Sequence, residues 1–464
     1  MRTSKSISNV LVWQLLGKFA LQGITFFTAP FFTRLLSPSD YGSFSIYTTW
    51  VGFFTIIIGL QTHGAIANAK IKYSEEEFPK FLSSILSIST IFFAFVLALS
   101  IVFLNQFAAL FAFSKFLVIL LVIHSFTAFC YSFYFAVLIQ EKKSKENAIL
   151  SVIISIITTI LAFIFVLNSP NNKALAKILA TAIPSILFGI VFLIKIFLNG
   201  KTFFNKEYWT FCLALTLPLI FHSLGGIILS QSDRVMLEKI IGLDSVGVYS
   251  VSYSLALVIS IIWGACNTSW VPFYYEYKKT NNHKELHSKS NNYMIFYTII
   301  TLGFLLCAPE VFKILAPEKY WEGLKIIPLI TLAYYFNFLY SFPANFEFYH
   351  LQTKLIAMST ILSAGINVGL NIVFIKRWGI MGAAVTTLIS FIFLFIFHDI
   401  VARFVLRDKN YDYSWIFYLK GIIPVVVFSV LYYYLMPMAI FRWIIALVIG
   451  VFLLKRIVKT RSIF

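Results

Sequence analysis

Fourteen apolar runs divide almost the whole of this 464-residue chain, and they leave it one kind of fold. The hydrocarbon core of a bilayer is about 30 Å thick and a helix rises about 1.5 Å per residue, so about 20 mostly apolar residues make one crossing. The runs fall at about 8–33, 41–69, 80–104, 110–139, 147–167, 174–198, 209–231, 246–275, 291–315, 323–349, 354–375, 379–404, 415–435 and 438–455. Apolar residues make up 59% of the chain and charged residues 12%, where a soluble domain carries roughly 25% charged residues. The expectation is an all-α polytopic membrane protein of about 14 transmembrane helices. Runs such as 41–69 exceed a perpendicular crossing and predict tilted or projecting helices. The longest polar stretches, Lys278–Ser290 and Arg407–Ser414, are too short to fold alone, so no extramembrane domain is expected.

The net charge of +18 is spread singly through short loops. That spacing argues against a nucleic-acid partner and reads as topology information instead. With the N-terminus cytoplasmic, the inner segments hold 23 Lys and Arg against 12 outside, and Lys18 and Lys420 lie within spans. Both termini are therefore expected in the cytoplasm. Residues 1–6 lead into a run too long for a cleavable signal, so the first span is expected to stay attached. The four cysteines, Cys130, Cys212, Cys266 and Cys307, sit in separate apolar runs with no metal-ligand or disulfide spacing. They read as small buried hydrophobes. Phosphate-loop, HExxH and GxSxG patterns are absent, and the chain is expected not to be an enzyme.

Polar side chains inside the spans are the candidate functional residues, because lipid penalises them unless they meet water or a partner. Gln14, Lys18, Gln22 and Thr25 follow at spacings of four, four and three, which places them on one face of the first helix. A polar stripe centred on a cation is expected to line a hydrated, substrate-binding cavity. Pro30 follows in the same helix and Pro218 in the seventh, where each is expected to bend its span. Arg34 closes the first helix and is a candidate for an anionic group or for lipid headgroups. His124 and His222, near mid-depth of spans four and seven, are candidates for protons. Asn367 and Asn371, four apart in span eleven, are candidates for Na⁺ or sugar hydroxyls, with interhelical packing as the plainer use. Asp233 with Arg234, Glu310, His63, Glu347, His398 and Asp399 come out near an interface and read as solvated span ends.

A short echo ties the two halves together. Tyr41-Gly42-Ser43-Phe44-Ser45 aligns with Val246-Gly247-Val248-Tyr249-Ser250 at an offset of 205 residues. The charge pattern places both copies on the outer face, which predicts parallel repeats related by an axis along the membrane normal.

These motifs also carry a resemblance. Arg34-Leu-Leu-Ser-Pro38-Ser-Asp40-Tyr41-Gly42-Ser-Phe44-Ser45, Asp233-Arg234-Val-Met-Leu with residues 246–250, Trp270-Val-Pro272 and Trp378-Gly379-Ile-Met-Gly382-Ala383-Ala384 resemble the polysaccharide-biosynthesis flippases. Those are the O-antigen or repeat-unit exporters of the multidrug/oligosaccharidyl-lipid/polysaccharide superfamily. The resemblance implies a V of two six-helix lobes, residues 1–200 and 201–408, with two trailing helices in 409–464. It implies a monomer in the bacterial inner membrane that moves an undecaprenyl-diphosphate-linked glycan to the outer leaflet. No cofactor is implied beyond Na⁺ or H⁺ as a coupling ion, and membrane lipid, a polysaccharide polymerase and a chain-length regulator are the implied partners. The cargo's diphosphate suits Lys18 and Arg34.

Three other readings compete. A drug or cation antiporter on the same fold should carry acidic groups in its first lobe, and spans one to six hold no mid-depth Asp or Glu. A membrane polymerase or ligase should carry a long outer loop. A peptidoglycan-precursor flippase shares the fold and the diphosphate.

Overall fold

The computed structural model describes the backbone of residues 2–406, 411 and 413–460; the side chains of 2–12, 14, 15, 18, 19, 353 and 457–460 lie outside the description. Among the described residues there are helices and turns and no strand. In lipid, a helix pairs its backbone polar groups within itself, which is why apolar runs of this length take that form.

Fourteen long helices follow in order. They are α1 Arg2–Leu35, α2 Pro38–Gly59, α3 Glu77–Val102, α4 Lys115–Gln140, α5 Ser144–Leu167, α6 Lys173–Gly200, α7 Lys206–Ile240, α8 Leu243–Lys279, α9 His283–Leu315 and α10 Ile327–Tyr349. A continuous stretch Thr353–Ile400 then breaks at Gly379 into α11 (353–378) and α12 (380–400), and α13 Trp415–Leu435 and α14 Ala439–Thr460 complete the chain. Among the described residues, eleven stretches are long and apolar enough to cross a membrane, with α11 and α12 counted as one. The chain is a multi-span membrane protein.

Two expected spans differ in form. The run 41–69 is not one helix: α2 ends at Gly59, Leu60 and Gln61 turn left-handed (φ 47° and 53°), and a 3₁₀ turn Thr62–Ala65 leads into a short helix Ile66–Lys72. The expected run passed through this corner because its three polar residues, Gln61, Thr62 and His63, are too few to end an apolar stretch that resumes at Ala65 and Ile66. The run 323–349 begins as 3₁₀ helix over Glu318–Ile326 before α10. Helices α7 and α8, at 35 and 37 residues, also outrun their expected spans.

The chain divides into two compact units, residues 1–36 with 43–227 and residues 37–42 with 228–464. In the first, α4 is the central helix, with Phe126, Phe129, Phe133 and Val137 in a core shared with Phe81, Ile85 and Phe192. Small residues set the spacings there. A Cβ on Gly189 of α6 would fall 2.6 Å from the Thr127 carbonyl of α4, and one on Gly17 of α1 would fall 2.9 Å from the Ala148 Cβ of α5. In the second unit, α10 is the most deeply enclosed helix and packs against α8, α11 and α12, while α9 carries α13 and α14. The buried Arg442 of α14 forks onto both oxygens of Glu310 on α9.

The sequence echo has a spatial counterpart inside the second unit. A Cβ on Gly42 would lie 2.1 Å from the Leu243 carbonyl, and one on Gly247 would lie 2.0 Å from the Pro38 carbonyl. The two aligned glycines thus open the same crossing from opposite sides.

Candidate functional site

The first candidate is the polar stripe of α1. Gln14 and Lys18 lie outside the described residues, although their backbone belongs to α1. Gln22 and Thr25 are exposed, and the Thr25 hydroxyl donates to its own helix at Leu21 O (3.1 Å). Helix α1 begins at Arg2, ahead of the apolar run expected from about residue 8. The packing of α1 gives a second view of the stripe. Trp13, Leu16, Gly17 and Ala20 lie along α5, with Ala148, Ile149, Val152 and Ile153 opposite them. At 100° per residue, the stripe positions lie roughly 145° round the helix from that contact. Gln22 and Thr25, the described members of the stripe, are exposed and do not line that contact.

Arg34 is exposed at the end of α1, where its Nη1 donates to Pro30 O (2.7 Å). A cation at a helix C-terminus is favoured by the exposed carbonyls. Nearby, Lys173 donates to Leu35 O (2.9 Å), and the buried Lys177 rests over the rings of Phe32 and Phe44 at 4.5 and 4.3 Å. The two histidine candidates have different surroundings. His124 is buried on α4, stacked on Tyr47 and within 3.3 Å of its hydroxyl. His222 on α7 is half-buried, and its Nδ1 has no hydrogen-bond partner among the described residues.

The second candidate is a buried polar cluster of α7, α8, α11 and α12, and it includes residues read from sequence as a solvated end. Asp233 is fully buried and Arg234 is 7% exposed. The Asp233 carboxylate accepts Asn371 Nδ2 on one oxygen (2.7 Å) and the hydroxyls of Tyr249 and Thr387 on the other (2.6 Å each). Asn371 also donates to Asn367 Oδ1 (3.0 Å), which accepts the Ser232 hydroxyl (2.9 Å), and Asn371 Oδ1 accepts Thr386. Arg234 turns the other way, donating to Ser250 Oγ (3.1 Å) and Ser230 O (3.0 Å) with its guanidinium 4.6 Å over Tyr253. Asn367 Nδ2 is left without a partner among the described residues. Asn367 and Asn371 thus come together, on carboxylate and hydroxyl partners that the sequence reading had not joined to them.

The solvated-end reading fails here for a definite reason. Helix α7 continues to Ile240 instead of ending near 231, and two of the three partners of Asp233 stand 138 and 154 residues away in sequence. Hydropathy stops at the first charged pair and cannot see such partners. The same correction applies to Glu347, His398 and Asp399, all fully buried. Glu347 meets His398, and Asp399 is paired with Arg403 at 2.6 Å. Among the described residues no group of His, Cys, Asp and Glu gathers as a metal site.

Comparison with known proteins places this architecture. A sequence model described as polysaccharide biosynthesis protein matches residues 8–278, more than half of the chain. An uncharacterized membrane protein of Haemophilus influenzae is 25% identical over 390 residues, covering 80% of this chain and 92% of that one. A probable low-salt glycan biosynthesis flippase, Agl15, of Haloferax volcanii is 23% identical over 391 residues, covering 80% and 78%. Among solved structures, the lipid II flippase MurJ in an inward closed conformation matches with a TM-score of 0.73 at 18% identity, over 96% of this chain and 100% of that one.

Proposed function

The chain belongs to the polysaccharide biosynthesis protein family, and from that premise we propose that it is a flippase. Its cargo is a polyprenyl-diphosphate-linked oligosaccharide, an O-antigen or other surface-polysaccharide repeat unit, carried from the cytoplasmic to the outer leaflet by alternating access. The observation that carries this reading is the family match over residues 8–278, which runs from α1 through α8. The relative named as a glycan biosynthesis flippase supports it, as do Gln22 and Thr25, exposed on α1. A lipid II-type cargo presents the same diphosphate, and the likeness in fold suits it equally; the family match favours the surface glycan.

In this reading, Lys18 meets the diphosphate, since a cation in a water-filled cavity offers charge-assisted hydrogen bonds to its oxygens. Gln14, Gln22 and Thr25 supply hydrogen bonds to the glycan, and Arg34 meets the anion as it leaves. The lipid tail remains in the hydrocarbon, which spares the protein its burial. The membrane is the bacterial inner membrane with both termini cytoplasmic, on the strength of the loop charges. Na⁺ or H⁺ couples the cycle. The oxygens collected at Asp233, Asn367, Asn371, Thr386 and Thr387 are the hard donors that suit Na⁺. The Asp233 carboxylate and the two amide oxygens accept hydrogen bonds here, so a cation has to displace hydroxyl and amide donors.

The test is the pair Lys18→Ala and Lys18→Arg, scored in the producing cell for surface glycan and for lipid-linked repeat units held inside. At equal expression, Lys18→Ala is expected to cut surface glycan at least tenfold and to accumulate the lipid-linked unit, with Lys18→Arg retaining part of the export. Normal export by Lys18→Ala would remove the cationic cavity from the account.

A further inference from the structure

Glu347 of α10, His398 of α12 and Ser359 of α11 form a line of hydrogen bonds in the second unit. Glu347 Oε1 lies 2.7 Å from His398 Nδ1, and His398 Nε2 lies 2.6 Å from Ser359 Oγ. All three residues are fully buried. Glu347 Oε2 is buried with no hydrogen-bond partner among the described residues. The Ser359 hydroxyl is also within 2.8 Å of Ile356 O, one turn back on its own helix.

We propose that this line is a proton-binding site with two states separated by one proton and one hydroxyl rotation. In the loaded state the Ser359 hydrogen points to Ile356 O, so its oxygen accepts from His398 Nε2–H, and a second proton lies between Nδ1 and Glu347 Oε1. The pair is then neutral, as acid with imidazole or carboxylate with imidazolium. In the unloaded state Nδ1–H donates to the carboxylate, and the Ser359 hydroxyl turns from Ile356 O to donate to Nε2. The pair then carries one negative charge. Release of the Nε2 hydrogen to water as H⁺, while the shared proton settles on Nδ1, balances the change, and no redox partner is needed. Because two interacting groups share the proton, the titration belongs to the pair and not to either residue. Serine supplies what an apolar neighbour could not, since it donates or accepts as required and keeps both ring nitrogens hydrogen-bonded in either state.

The other titratable and charged groups around the line are already engaged. On α10, Tyr340 packs its ring 4.7 Å from that of His398, and His350 bonds Phe346 O (2.9 Å). On α8, Lys278 lies over the Phe346 ring (5.0 Å). On α12 and beyond, Asp399 is held by Arg403 and by the Tyr411 hydroxyl (2.8 Å), which also bonds Tyr418. No cation among these bonds the Glu347–His398 pair, so loading by a proton is what removes its charge. As a coupling site the line rests on the transporter reading; as a proton site it stands without it.

The experiment is ¹⁵N magic-angle-spinning NMR of the full chain in bilayers, labelled at histidine, between about pH 5 and pH 9, with the His398 signals assigned by their loss in His398→Gln. The wild type is expected to pass from a ring protonated at Nε2 to one protonated at Nδ1 only. Glu347→Gln, which keeps the shape and removes the shared charge, is expected to abolish that conversion. Unchanged His398 signals across this range, or the same conversion in Glu347→Gln, would overturn the proposal. No cargo is present in the measurement, so a failed flippase assignment leaves its result intact.

Discussion

Asp233 shows how a charge is held at the residue scale. It is fully buried in an apolar helix packing, yet three donors from α8, α11 and α12 reach its two oxygens. Burying a carboxylate is costly, and stripping its partners of their acceptor is costly again, at about 1–3 kcal/mol for each group left unsatisfied. Asp233→Ala is therefore expected to lower stability by about 3 kcal/mol or more. The half-buried thiols Cys266 and Cys307 of the same unit offer a direct readout: a thiol-reactive dye should report their full exposure several degrees earlier in the variant. An unchanged midpoint would mean that the cluster is not holding α7 to its neighbours. This residue also marks how far the sequence could be read. The stripe of Gln14, Lys18, Gln22 and Thr25 is legible because helical spacing is local information. The partners of Asp233, and those of Glu347 and His398, are assembled by tertiary packing over 16 to 154 residues of chain, and no local pattern announces them.

Helices and their breaks follow a similar division. Fourteen spans were legible because lipid imposes one length on every crossing, and the structure supplies fourteen long helices in the same order. The corner after Gly59 was not legible, since Gln61, Thr62 and His63 are too short a polar interruption to end an apolar run, and the left-handed turn at Leu60 and Gln61 has no glycine to mark it. Gly379 separates α11 from α12 at φ 58° and ψ −134°, a conformation that a Cβ makes costly. Gly379→Ala is expected to cost about 1–3 kcal/mol by the same dye assay. Gly247→Val meets a different obstacle, because its Cβ would overlap the Pro38 carbonyl, which is backbone and cannot swing aside. It should yield little monodisperse protein on size exclusion. Gly303, with no described atom within 4 Å of a Cβ, is the control, and Gly303→Ala is expected to express normally. Equal yields of the two would contradict the crossing at Gly42 and Gly247.

At the scale of the whole molecule, composition and span count made a membrane protein legible, and short motifs pointed to the family before any helix was placed. What lay beyond the sequence was the polar interior of the second unit, where two charged clusters are enclosed without a soluble domain to explain them. The flippase reading draws these scales together: a family match over α1 to α8, a polar face on α1, and buried titratable groups suited to an ion-driven cycle. The most direct measurement is leaflet exposure of a fluorescent polyprenyl-diphosphate oligosaccharide in vesicles holding the purified chain, using a membrane-impermeant reagent that destroys the glycan label. The account predicts that probe protected in the inner leaflet becomes reactive with the wild-type chain and stays protected with Lys18→Ala. Protection that persists with correctly folded wild-type protein, under Na⁺ and proton gradients of either direction, would contradict it.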